Sequence, residues 1–244
     1  MKNQNKQQYK RHNILLNMKI EVFLRHCYTS KVNLSGANRP DWWDKEKVFQ
    51  NFKNTLNPET TNYTIIFDEC YGKQEDTFLK DEEGVAINCG KESSSFCKTL
   101  EHILSQDFDN DTIIYFLEDD YVHRPNWDKV LIDGFTLPVQ YVTLYDHGDK
   151  YQEMYKDFMT KVLATKYSHW MPTPSTTNTF AVKFRTLKED KEIHRHFSTG
   201  FEPSADHGKF LELHKRGKNL ISSIPGYSTH CHSQFLSPCI DWST

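Results

Sequence analysis

The hydrophobic positions of this chain follow two alternating rhythms. Short runs rich in apolar, β-branched and aromatic residues occur at 20–24, 63–67, 85–87, 111–117, 141–145, 177–182 and 219–224. Runs of that length and make-up predict strands. Between them, apolar residues recur at helical spacing. Val48, Phe49, Phe52 and Leu56 predict a helix over 42–56, which Asn57-Pro58 stops. Further helices are predicted over 93–105, 128–135, 188–196 and 205–216. The first half reads strand–helix–strand–short strand–helix–strand, which implies a parallel sheet. The predicted fold class is α/β: a mostly parallel central sheet flanked by helices, in one domain over 18–244. No repeat or interdomain linker breaks it. Residues 1–17, rich in Gln, Asn and Lys, read as a disordered extension. The tail from Pro225 reads as loop-rich, with little packing of its own.

Polar residues cluster where the apolar runs stop. The strand over 111–117 reads as buried on both faces and ends in Glu118-Asp119-Asp120. Burying three adjacent anions is costly unless something compensates. A divalent cation carrying a phosphate ligand would do so, and ligands of open α/β sheets sit beyond the C-terminal ends of strands. The plainer reading is a solvated acidic turn. Asp206 follows Glu202-Pro-Ser-Ala at a helix start, where the helix dipole keeps a carboxylate ionised. Such a residue is either a base or an ordinary first-turn acid. His230 and His232 lie in a Gly/Ser/Thr stretch after the strand over 219–224, as ligands or as ordinary loop histidines. Trp42, Trp43, Trp127 and Trp170 read as core.

Composition narrows the class. A length of 244 residues suits one domain. With 30 basic against 33 acidic residues, nothing points to a nucleic-acid surface. The 16 Phe and 12 Tyr can build a core and also supply faces on which sugars stack. No apolar run approaches the roughly 18 residues of a membrane helix, and Ile14-Leu-Leu16 is too short for a signal peptide. Cysteines stand at 27, 70, 89, 97, 231 and 239 with no CxxC pair, so reduced thiols in a cytoplasmic setting are expected, and no zinc site.

Strand, acidic triplet, Tyr121, then Pro125-Asn-Trp127 and a helix together resemble the metal-binding "DxD" segment of GT-A glycosyltransferases, in its Glu-Asp-Asp variant. The preceding elements are similar to the nucleotide-binding half of the GT-A fold, a Rossmann-like arrangement. The resemblance covers roughly residues 18–244. It implies a metal-dependent enzyme that moves a sugar from a nucleotide-sugar donor, a UDP-sugar, to a glycan or other hydroxyl acceptor, with inversion. It implies Asp120 as metal ligand, with Glu118 and Asp119 reaching the ribose or metal-bound water. His230 would be a further ligand, with His232 as its rival. A histidine ligand suits Mn2+ better than Mg2+. Asp206, or failing it Glu202, would be the base that deprotonates the acceptor. Asp68 would hold uracil or ribose, and Tyr28 would stack on the base. The small-residue turn with Asn88, Gly90 and Ser94 would pack the nucleoside. Asp146 would bind donor-sugar hydroxyls, and His169-Trp170 with Ser175–Asn178 would face the acceptor. Two other classes stay open. A nucleotidyltransferase acting on sugar phosphates would normally show a Gly-rich basic loop after the first strand, and residues 25–30 have no glycine. A non-catalytic glycan-binding module would need the aromatics but not the acidic triplet.

Overall fold

The structure, a computed structural model, describes residues 18–29, 38–153, 157 and 159–243. The expected extension over 1–17 lies outside the described residues. In chain order the elements are β1 (Ile20–Cys27), α1 (Lys45–Thr55), β2 (Thr61–Asp68), β3 (Gly84–Ile87), α2 (Glu92–Leu104), β4 (Ile113–Glu118), β5 (Tyr121–His123) and α3 (Trp127–Gly134). Then come β6 (Tyr141–Thr143), β7 (Leu163–Ala164), β8 (His169–Pro172), β9 (Phe180–Lys183), α4 (Phe184–His196), α5 (Asp206–Lys215), β10 (Leu220–Ile224) and β11 (Ser228–His230).

Most predicted elements are present, and the shifts in their ends have local causes. Helix α1 starts at Lys45, not at Trp42, because Asp44 is extended and its side chain accepts from the Lys47 N–H at 2.9 Å. Strand β1 runs three residues past Leu24, since Arg25, His26 and Cys27 continue the ladder onto Ile66, Phe67 and Asp68 of β2. Polar side chains are thereby built into a rigid strand end.

Among the described residues the main sheet has nine strands, in the order β3-β2-β1-β4-β9-β6-β10-β8-β7. Strands β1 to β4 are mutually parallel, β9 lies antiparallel between β4 and β6, and β8 runs against β10 and β7. The sheet is thus mostly parallel, with two reversed strands. A second, two-stranded sheet pairs β5 with β11. The sequence pattern did not predict it, since residues 121–127 read as a lead-in to a helix and the tail as loop. Strands this short carry no periodicity to detect. The short strands β7 and β8 escaped for the same reason.

The sheet is covered on both faces. Ile113, Tyr115 and Leu117 of β4 pack into one core cluster with Phe52, Trp127 and Leu131, beneath α1 and α3. Ile114 and Phe116 of the same strand join the other cluster with Phe96, Leu187 and Leu213, beneath α2, α4 and α5. That explains the unbroken apolar run of β4, because a strand buried on both faces cannot alternate. Trp127 and Trp170 are fully buried, as a core role requires. Trp42 and Trp43 are half-buried against Val48, Val122, Cys231 and Trp242. Trp127→Ala is expected to destabilise the fold by about 3–5 kcal/mol, the usual cost of emptying a large aromatic site. Urea unfolding measures it, and a loss near zero would mean that the ring is not part of the core.

The tail departs most from expectation. Ser228, Thr229, Cys231, Ser237 and Trp242 are all buried, so the segment after Pro225 is packed. All six cysteines are free. Among the described residues, no helix is long and apolar enough to cross a membrane.

Candidate functional site

The strand order reverses at β1: its successor β2 lies on one side and β4 on the other. The crevice beyond the C-terminal ends of strands at such a switch is the usual ligand site of an open α/β sheet. Here it is a cleft of about 650 Å³ whose lining includes Arg25, Asp68, Glu118, Asp119, Asp120, Asp206 and His230. That volume suits a small ligand or cofactor. The structure therefore brings together the acidic triplet, both tail histidines and the candidate base.

Each carboxylate of the triplet meets a cation. Glu118 accepts from Arg25 Nη2 at 2.8 Å, and Asp119 from Lys45 Nζ at 2.6 Å. Asp120 Oδ2 accepts from Arg39 Nη2 at 2.8 Å and lies 3.0 Å from His230 Nε2. The protein itself thus supplies much of the compensation that the sequence assigned to a metal. Asp120 Oδ1 is the exception, being buried with no hydrogen-bond partner. Burial would raise the Asp120 carboxyl, but His230 and Arg39 outweigh it and hold the group well below the usual carboxylate range. Burial likewise works against a charged His230, yet the Asp120 carboxylate raises its pKa. Sheet pairing explains the meeting, because β11 sets His230 opposite Tyr121 and the two rings stack at 5.2 Å. His232 also lines the cleft, and its ring lies against Phe235 at 4.8 Å. Among the described residues, no three His, Cys, Asp or Glu side chains form a ready-made metal site.

Arg25 stands between two carboxylates, Glu118 at 2.8 Å and Glu92 at 3.0 Å. One guanidinium cannot fully neutralise both. Glu92 also accepts from the Ser204 N–H at 2.9 Å and from Asn178 Nδ2 at 2.7 Å. The Arg25 charge, aided by those contacts, overcomes its burial and holds it below the usual carboxylate range. Burial pushes Glu118 the other way, up to about 8, despite Arg25.

Asp206 is the first residue of α5, and its Oδ1 lies 3.1 Å from Lys209 Nζ. Its pKa is raised, chiefly by burial, with Lys209 opposing. This differs from the simple ionised helix-start acid of the sequence reading, and it moves the group toward the range of a useful base. Glu202 lines the same cleft from an exposed position. Asp206 and Thr177 also line a second cavity of about 200 Å³ with Ser175, Thr176 and His207.

Other candidates need correction. Tyr28 is 51% exposed, with its ring lying on Gly72, and the tyrosine that lines the cleft is Tyr71. Asp68 does face the cleft, but Oδ1 accepts from the Cys70 and Cys89 N–H groups and Oδ2 from Gly90. Its first task is to brace those loops, and about one acceptor position remains for a ligand. Asn88 and Ser94 are exposed and lie outside the lining, while Gly90 and Ser95 are part of it. Gly90 has φ +66, and a Cβ there would sit 2.6 Å from Cys70 Sγ, so glycine is required. Asp146 is buried away from the cleft, against Lys150 at 3.6 Å and the Tyr151 hydroxyl at 2.7 Å. His169 is exposed on β8, Trp170 is core, and Asn178 turns to Glu92. Only Ser175–Thr177 of that stretch line the smaller cavity. Sequence reasoning missed Arg25, Arg39, Lys45, Glu92 and Lys209. The available signals were a charge inside the β1 ladder and the three-residue spacing of Asp206 and Lys209 on one helix face.

No protein-family model matches the chain, and no curated protein matches it in sequence. Solved structures do. One is CMP:2-keto-3-deoxy-manno-octonic acid synthetase complexed with CTP, at 13% identity and TM-score 0.49, covering 85% of this chain and 92% of that one. Another is 4-diphosphocytidyl-2C-methyl-D-erythritol synthase from Anaerococcus prevotii, at 12% identity and TM-score 0.45, covering 86% and 89%. A third is the galactosyltransferase LgtC with donor and acceptor sugar analogs, at 8% identity and TM-score 0.41, covering 79% and 69%. At these values the likeness assigns no activity.

Proposed function

We propose that the protein is a metal-dependent glycosyltransferase of the GT-A type, taking a UDP-sugar donor and transferring the sugar with inversion to a hydroxyl acceptor. One observation carries the reading: a single cleft at the strand switch holds Asp120 with an unpartnered buried Oδ1 beside His230, and also holds Asp206. An oxygen and an imidazole nitrogen fit Mn2+, with Mg2+ the less suited alternative. Asp120 and His230 would hold the cation, and the donor diphosphate and water would complete its shell. When bound, the cation neutralises charge on the departing nucleoside diphosphate. Arg25 and Arg39, on the same wall, add fixed positive charge for the phosphates. Asp206, between the large cleft and the smaller cavity, would take the proton from an acceptor hydroxyl held by Ser175–Thr177.

Thermal shift with a set of nucleotide sugars tests this. A donor that binds the folded state raises Tm by mass action, and the rise should need Mn2+. No metal-dependent stabilisation by any UDP-sugar would remove the reading. His230→Ala is expected to weaken Mn2+ binding, measured by calorimetry in the presence of UDP, more than His232→Ala does. The reverse order would transfer the ligand role to His232.

The three cations Arg25, Arg39 and Lys91 on the cleft wall favour a second reading, a nucleotidyltransferase acting on sugar phosphates. Such an enzyme would release pyrophosphate from a nucleoside triphosphate when given a sugar phosphate. A glycosyltransferase would release a nucleoside diphosphate from a nucleotide sugar.

A further inference from the structure

A continuous polar chain runs under the cleft floor from the acidic triplet to α5. Glu118 binds Arg25, and Arg25 binds Glu92 at 3.0 Å. Glu92 accepts from Asn178 Nδ2 at 2.7 Å, and Asn178 Oδ1 accepts in turn from Lys209 Nζ. Lys209 Nζ ends the chain at Asp206 Oδ1, 3.1 Å away. Lys209 is fully buried, and its ammonium lies 4.2 Å from the Phe96 ring centroid and 5.8 Å from that of Phe180. A lysine is almost never sealed in an apolar pocket unless it is paired. Among the described residues, its carboxylate partner at hydrogen-bond distance is Asp206. Lys209 is itself neither a proposed metal ligand nor part of the cleft lining.

We propose that Lys209 is a positioning residue for Asp206: it fixes the carboxylate between the two cavities and keeps it ionised against the neighbouring Glu92. The charged groups facing Asp206 are Lys209 on its own helix, Glu92 on α2 and Arg25 on β1. Glu92 favours the protonated form of Asp206, while Lys209 and Arg25 favour the ionised form. His207, next along the helix, turns its ring to Ser175 at 3.1 Å. Asn178 ties the two opposing charges together, holding Lys209 through its oxygen and Glu92 through its nitrogen. The lysine therefore cannot swing away from Asp206 without breaking a second buried contact. The spacing contributes too, since residues three apart on a helix share a face.

The inference rests on Asp206 being the base, but its test uses no substrate. A failure to transfer sugar and a failure of this proposal are therefore read separately. The intact protein is labelled with 13C at the Asp carboxyls, and Asp206 is assigned by its loss in Asp206→Asn. Its titration midpoint is followed by NMR in wild type, Lys209→Met and Glu92→Gln. Methionine keeps the length and apolar stem over Phe96 while removing the charge. In Lys209→Met the midpoint should rise by about one to three pH units, the usual effect of removing a close opposite charge. In Glu92→Gln it should fall. These opposite signs separate an electrostatic role from a merely structural one, which would not move the two midpoints in opposite directions. An unmoved or lowered midpoint in folded Lys209→Met overturns the proposal. If Lys209→Met does not fold, Glu92→Gln decides, and a midpoint that stays or rises there overturns it.

Discussion

Asp206→Asn is expected to lower turnover by roughly two to four orders of magnitude, the usual worth of general base catalysis. The amide keeps the size and the contact with Lys209 but cannot accept the acceptor's proton. Affinity for UDP with Mn2+ should stay near the wild-type value, because Asp206 also lines the smaller cavity proposed for the acceptor. Release of UDP from a nucleotide sugar gives the rate, and calorimetry gives the affinity. A mutant with normal turnover would move the role to Glu202, which lines the same cleft. A mutant that loses donor affinity as well would mean that Asp206 binds the donor instead.

The second large effect is expected at Asp120. Asp120→Ala should abolish the metal dependence of UDP binding. The substitution removes the unpartnered oxygen and leaves Arg39 and His230 without their shared carboxylate. Arg39 would still attract a diphosphate, while His230 loses the carboxylate that favours its charged form, so some UDP affinity is expected to persist without metal. The decisive quantity is therefore the difference in affinity with and without Mn2+, measured by calorimetry. A mutant whose UDP affinity still rises with Mn2+ would sink the ligand assignment. Breaking a largely buried ion pair also costs stability. Asp120→Asn is therefore a useful companion, since it keeps the volume and one acceptor oxygen.

The parts that local pattern controls were legible in the sequence. The β4 run read as a strand buried on both faces, which placed the acidic residues after it at a strand end. Trp127 and Trp170 were recognisable as core from size and apolarity alone. What escaped depends on pairing across long separations. Arg25 meets Glu118 and Glu92 because β1 and β4 lie in register and α2 folds over them. No window of sequence contains that contact. The same holds for Lys45 with Asp119 and for Arg39 with Asp120. Tyr28 and Tyr71 are equally plausible stacking rings by composition. The turn at Gly72 puts one outside and the other on the cleft wall. Asp146 had the right chemistry at a strand end, but Lys150 and Tyr151 draw it away.

The small β5–β11 sheet has a consequence for synthesis. Asp120 and His230 are separated by 110 positions, and the tail is anchored by Cys231 donating its backbone N–H to Asp120 at 2.8 Å. A ribosome has to add 110 residues after Asp120 before those two residues can meet. Until then β5 is an open edge, and Val122 lacks the cover that Cys231 and Trp242 later provide. Closing that loop costs far more entropy than forming a helix, whose contacts are local. The nascent protein therefore passes through a stage with a nearly finished sheet and a half-built ligand site. A chain cut before β11 would carry the acidic triplet but no histidine to meet it.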